Sequence, residues 1–180
     1  MSILTEIQKT AANADEKIKH LYETAFPEGE KIPWDDLMRL IEEMSLDFTA
    51  YYDGEEFIGF TIVYPHRAFN WFWYFAVREE LRGKGYGQQI LTLFIESYKG
   101  QTCVLDIESP TQVCENIDQR KRRHGFYLRN GFRDTNVYRT YNDITWTIMM
   151  MGKGTFTMQD WDDIIHELQK FWWPDDIKEE

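Results

Sequence analysis

Val77-Arg78-Glu79-Glu80-Leu81-Arg82-Gly83-Lys84-Gly85-Tyr86-Gly87-Gln88-Gln89-Ile90-Leu91 is the stretch on which the reading of this chain turns. It predicts the end of a strand, a glycine-rich turn and the start of a helix. The residues before it, Trp71-Phe72-Trp73-Tyr74-Phe75-Ala76-Val77, are the aromatic and β-branched types of a strand covered on both faces. After it, Ile90, Leu91, Phe94, Ile95 and Tyr98 recur at helical spacing, and Gly100 stands where that helix should stop. Gly83, Gly85 and Gly87 fall at the helix start. Glycine there lets backbone N–H groups point outward unobstructed, and the helix dipole adds positive potential. The expected ligand is a phosphate or pyrophosphate; the competing reading is a turn that only reverses the chain.

The loop lacks the Gly-Lys-Ser/Thr ending of a nucleotide-triphosphate loop. It also fails the dinucleotide pattern, because the third glycine position falls on Gln88 or Ile90. What fits is Arg-x-x-Gly-x-Gly at Arg82, Gly85 and Gly87. This resembles the acetyl-CoA pyrophosphate loop of the GNAT superfamily of N-acetyltransferases, including its approach through Phe75-Ala76-Val77 and a charged turn. A second stretch, Phe126-Tyr127-Leu128-Arg129-Asn130-Gly131-Phe132, resembles the Phe-Tyr-x-x-x-Gly-Phe signature at the end of that family's fourth helix.

The elements around these stretches agree with the resemblance. A first strand is expected within Ser2 to Lys9, and a helix opening at Asn13-Ala14-Asp15-Glu16. A second helix should begin at Pro33. Leu46–Tyr52 and Phe57–Tyr64 predict a hairpin turning at Asp53-Gly54. Thr102–Glu108 predicts a strand with Val104, Asp106 and Glu108 on one face. A helix from about Asn116 to Asn130 follows, then a hairpin of Arg133–Tyr141 and Ile144–Met151, then a last helix capped near Thr157. The fold class is α/β, in the mixed α+β sense: a GNAT-like central mixed sheet with helices on both faces, plus an extra C-terminal helix. Residues 1–151 form the acetyltransferase domain in this reading, and residues 152–180 a helical extension packed on it.

Composition narrows the function. At 180 residues and 16% aromatic, the chain has length and apolar mass for one core. No apolar run reaches the ~18 residues of a membrane span, and no signal pattern opens the chain. Cys103 and Cys114 make neither a disulfide framework nor a zinc site, so the reading is a soluble cytoplasmic protein without a metal. The net charge of −11 argues against nucleic-acid or anionic-membrane partners and is compatible with a cationic substrate, although a solvated acidic surface is the commoner reason for such a balance.

The resemblance implies roles for particular residues. Acetyl-CoA is the implied co-substrate, held by Arg82, Gly83, Lys84, Gly85, Tyr86, Gly87 and Gln88, and along Phe75, Ala76 and Val77. A backbone N–H near Val77 would hold the oxyanion. Tyr127 matches the tyrosine that protonates the departing sulfur, a role suited to a phenol that is neutral at pH 7. Asn116 resembles the asparagine that binds the pantetheine arm, although eleven residues separate it from Tyr127, more than is usual. Glu108, at the carboxyl end of its strand, is a candidate base for the incoming ammonium; a solvent-exposed strand end is the plainer alternative. Arg120-Lys121-Arg122-Arg123 points in four directions from its helix, so it is not one patch; part of it meeting CoA phosphates is one reading, and a solvated face the commoner one. His124 is expected at the surface. Trp172-Trp173-Pro174 suits a lid, a homodimer contact or burial of the last helix.

The expected activity is transfer of an acetyl group from acetyl-CoA to a primary amine of a small cationic acceptor by direct attack. A protein N-terminal or lysine acetyltransferase, or a non-catalytic acyl-CoA-binding module, is the alternative.

Overall fold

The computed structural model describes residues 3–66 and 68–172, with the backbone alone at Trp172. Ser2, Trp173 and Pro174 thus lie outside the described residues, as does the Trp172 side chain. The strands are β1 (Thr5–Gln8), β2 (Asp47–Asp53), β3 (Glu56–Pro65), β4 (Asn70–Val77), β5 (Cys103–Glu108), β6 (Arg133–Tyr141) and β7 (Ile144–Met151). The helices are α1 (Glu16–Ala25), α2 (Trp34–Glu43), α3 (Tyr86–Ser97), α4 (Ile117–Arg129) and α5 (Met158–Trp172). The strands form a seven-stranded mixed sheet in the order β1-β2-β3-β4-β5-β7-β6. Contacts divide the chain into two compact units, Met1–Leu105 and Asp106–Glu180. The described residues beyond 151 fall in the second unit, with β6, β7 and α4.

In the first unit, β1 to β4 are antiparallel neighbours. The parallel step from β4 to β5 begins with Asn70 beside Cys103 and Trp71 beside Val104, and α3 is the crossover such a step requires. Successive residues of β4 face opposite ways. Tyr74 meets Tyr22 of α1 edge-on at 5.2 Å, while Phe72, beyond a register shift, stacks on Phe94 of α3 at 4.1 Å. Helices thus cover both faces of this part of the sheet. Burial along β4 is uneven: Asn70, Trp71 and Phe72 are buried, but Trp73, Phe75 and Val77 are only half-buried. The full cover expected from composition therefore fails toward the glycine loop. Gly59 sits opposite Val77, and a Cβ there would lie 2.2 Å from the Ala76 carbonyl oxygen. Only glycine fits so close to the end of β4.

Local signals set most element ends. Asp15, rather than Asn13, caps α1, accepting from the Lys17 and Ile18 N–H groups at 3.0 and 3.1 Å. Asn13 instead accepts from the Thr10 N–H. In the second unit, Asn142 and Asp143 turn the β6–β7 hairpin with φ of 48° and 61°, the left-handed pair of a type I′ turn. Thr157 and Asp160 exchange hydrogen bonds at the start of α5, and Trp161, Ile164 and Leu168 are buried from that helix. The Arg139 guanidinium of β6 lies 4.6 Å from the Trp161 ring.

Candidate active site

The glycine loop is built as a strand-to-helix turn. After Val77 the chain makes one 3-10 turn over Glu79–Leu81, whose Leu81 is buried with Ile90, while Phe75, Val77 and Tyr86 pack against that cluster. Gly83 and Gly85 both take the left-handed region, at φ 76° and 88°. Gly85 is the N-cap of α3 and offers no side-chain acceptor. The first helical hydrogen bond runs from the Gln89 N–H to the Gly85 carbonyl, leaving the preceding amides outside the ladder. Tyr86 anchors the helix start by donating its hydroxyl to Asp53 at 2.8 Å, which ties it to the β2–β3 hairpin.

Charge around the loop is divided. Arg78 is engaged by Glu80, by Glu56 at 3.4 Å and by the Phe57 carbonyl at 2.9 Å. Arg82 donates its Nε–H to the Val77 carbonyl at 3.2 Å, and among the described residues neither Arg82 nor Lys84 is in an ion pair. Lys84 is exposed, as is Gln88 on the first turn, and Gly87 packs toward the Phe75 ring. Two cations without partner carboxylates, beside unladdered amides at a helix N-terminus, fit a diphosphate.

In the second unit, Tyr127 lies in α4 and is 8% exposed, its ring meeting Phe126 and Phe132 edge-on. Burial pushes its phenol up to about 12, helped by Asp106 and opposed by Arg123. The group is therefore an O–H at neutral pH.

Glu108 is not a solvent-exposed strand end. One oxygen accepts from Arg120 at 2.9 Å and the other lies 3.5 Å from Arg123. Arg120 is 6% exposed and is the centre of a network: its Nε–H donates to Asn116 Oδ1 at 3.0 Å and its Nη1 to Gln112 Oε1 at 3.0 Å. The same Gln112 oxygen accepts from the Thr145 N–H, while its amide donates to the Asp143 carbonyl at 2.7 Å. One arginine thus joins the end of β5, the segment after it, the start of α4 and the β6–β7 turn. Arg120 was expected on a solvated face and is instead buried, because Glu108 offers a carboxylate there; nothing in local sequence marks Gln112 or Arg120 for this. Asn116 does stand at the N-cap of α4, but its side-chain oxygen is committed to Arg120. His124 is paired with Asp134 at 2.9 Å. Among the described residues no His, Cys, Asp and Glu group is arranged to hold a metal, and no helix is long and apolar enough to cross a membrane.

A family model, the acetyltransferase (GNAT) domain, matches residues 45–134, half of the chain and all of the glycine loop, β5 and α4. The chain belongs to the GNAT family. As a GNAT protein it is an acyltransferase of the class that uses acetyl-CoA. The fold is similar to a GNAT-family acetyltransferase from Bacteroides thetaiotaomicron (TM-score 0.75, 23% identity, 92% of this chain and 96% of that one). It is also similar to a Bacillus subtilis acetyltransferase in complex with CoA (TM-score 0.61, 16% identity, 84% and 99%). The ribosomal-protein-S18-alanine N-acetyltransferase of Escherichia coli has TM-score 0.63 at 15% identity, over 86% of this chain and 99% of that one. No curated protein matches the chain.

Proposed function

We propose that this GNAT protein moves the acetyl group of acetyl-CoA to a primary amine of a small cationic acceptor. The observation that carries the reading is the glycine loop: left-handed Gly83 and Gly85, an α3 without a side-chain cap, and Arg82 and Lys84, which form no ion pair among the described residues, all within the stretch that matches the family. Acetyl-CoA, when bound, supplies the activated thioester. The diphosphate lies against residues 82–88, and the chain from Phe75 to Val77 borders the pantetheine arm.

The neutral amine nitrogen attacks the thioester carbonyl carbon, and the Val77 N–H stabilises the oxyanion. The carbon–sulfur bond then breaks, and Tyr127 gives its phenolic proton to the leaving sulfur. The amine loses its own proton to water or to a carboxylate, and solvent restores the Tyr127 O–H. A base role for Glu108 has less support than the sequence suggested, because both its oxygens face guanidinium groups. The ion pairs favour Glu108 and Arg120 as holders of the α4 start.

The acidic balance of the chain supports a cationic acceptor. A panel of small amines and short peptides, read by release of free CoA, tests the assignment. Turnover with diamines that weakens as salt rises is the expected result. Turnover with peptide N-termini alone would move the acceptor to proteins. No turnover with any amine, combined with a thermal shift on adding acetyl-CoA, would leave a non-catalytic binding module.

A further inference from the structure

A recess of about 430 Å³ opens on the α3 face of the first unit's sheet, beneath the last turns of that helix. Most of its lining lies away from the glycine loop, and Tyr51 alone reaches the cluster of Leu81 and Ile90 beneath that loop. Phe94, Ser97 and Tyr98 line it from the C-terminal end of α3, whereas the loop joins that helix at Gly85. A helix of twelve residues spans about 18 Å. Asn70, which also lines the recess, begins β4, and the loop follows the last residue of that strand, Val77.

The lining is polar where a sheet face under a helix is ordinarily apolar. Glu6 stands opposite Tyr51 and Gln8 opposite Thr49. Thr49 in turn faces Thr61, and Asp47 faces Val63, so these residues share one side of the sheet. Thr49, Tyr51, Thr61 and Asn70 are buried polar side chains held in fixed positions. The Tyr51 and Thr61 hydroxyls are 3.1 Å apart, and Gln8 donates to Thr49 at 2.9 Å. Asn70 donates to Gln101 at 2.9 Å, and the Tyr98 hydroxyl donates to Asp47. Among the described lining residues there are two carboxylates, Glu6 and Asp47, and no Lys, Arg or His. Tyr98 uses one acceptor position of Asp47, and a carboxylate has several.

We propose that this recess is a second binding site, for a small organic cation whose ammonium lies against Asp47 and Glu6 and whose body runs past Ser97 and Tyr98. Its volume lies within the roughly 300–1,000 Å³ usual for small-ligand pockets. Charge-assisted hydrogen bonds to a partly desolvated carboxylate give the affinity and the preference for positive charge. The site is independent of the acetyl-transfer reading.

Because an amine acceptor carries the same chemistry, the test has to locate the ligand. The whole protein, labelled with nitrogen-15 and free of acetyl-CoA, is titrated with 1,4-diaminobutane, with 1,4-butanediol and succinate as neutral and anionic controls. Saturable shifts of the Thr49, Thr61 and Tyr98 amides with the diamine alone are expected. Asp47→Asn keeps an acceptor for Tyr98 but removes the charge, and should weaken binding about tenfold or more. Ser97→Lys places an ammonium at the exposed rim and should weaken it similarly without disturbing the Asp47–Tyr98 bond. Both variants should retain the thermal shift that acetyl-CoA gives. Shifts confined to residues outside the recess would overturn the proposal. So would equal binding of butanediol or succinate, affinity unchanged in both variants, or no shift at millimolar diamine.

Discussion

Arg120 and Glu108 form an ion pair at 2.9 Å with side chains only 7% and 12% exposed. Twelve residues separate them in sequence, and no helical or strand periodicity brings them together. A pair so withdrawn from water is sensitive to loss of one partner, because the survivor remains charged in a place that cannot solvate it.

Arg120→Met is therefore expected to lower stability by about 3 kcal/mol, read as a lower urea midpoint with unchanged slope. Glu108→Gln in the same chain should restore part of the loss, since no isolated carboxylate then remains. Equal stability of Arg120→Met and wild type would show that Arg123 replaces its neighbour fully.

Tyr127→Phe removes one oxygen from a packed ring. Turnover should fall by the ~10²–10⁴-fold of a lost general acid, while the acetyl-CoA thermal shift persists. Full activity in this variant would leave sulfur protonation to water. Glu108→Gln separates base from holder: a base gives a loss that recovers as pH nears the ~10 of a free alkylamine, a holder gives one uniform across pH.

Alkaline titration reads the buried phenols directly. Burial pushes Tyr51 and Tyr127 up to about 12, and burial together with the Asp47 carboxylate raises Tyr98. In the unfolded chain these groups ionise near ~10. A pKa raised by folding favours the folded state below the unfolded value and loses that contribution as pH climbs through the folded one. Stability should therefore fall between about pH 10 and 12, and absorbance at 295 nm should show these tyrosines ionising together with unfolding. Ionisation of every tyrosine near ~10 in folded protein would contradict the burial.

Two glycines of equal strain separate cofactor binding from stability. Gly85 and Gly100 flank α3 at φ 88° and 79°. Alanine at either should cost about 1 kcal/mol. Only Gly85→Ala, at the loop end of the helix, is expected to abolish the acetyl-CoA thermal shift. Loss of the shift in both would mean that it reports helix stability rather than binding at the loop.

Much of the fold was written locally. Gly83 and Gly85 mark positions where the backbone must turn left-handed, Asn142-Asp143 marks a hairpin for the same reason, and Thr157 with Asp160 closes a helix start within four residues. Such requirements act over one turn of chain, so sequence alone exposes them, and with them the glycine loop and its expected ligand. The strand boundaries of β6 and β7 followed from the same local rules. What tertiary structure decided is which side chains meet. Glu108 became half of an ion pair because Arg120 reaches it from α4, and Asn116 gave its oxygen to that same arginine. Gln112 joined them by pairing with Thr145, thirty-three residues away, and Tyr98 found Asp47 across fifty-one. A lone carboxylate or amide looks the same in sequence whether water or a guanidinium will satisfy it; burial removes the water, and only then does the partner supplied by another element fix the role.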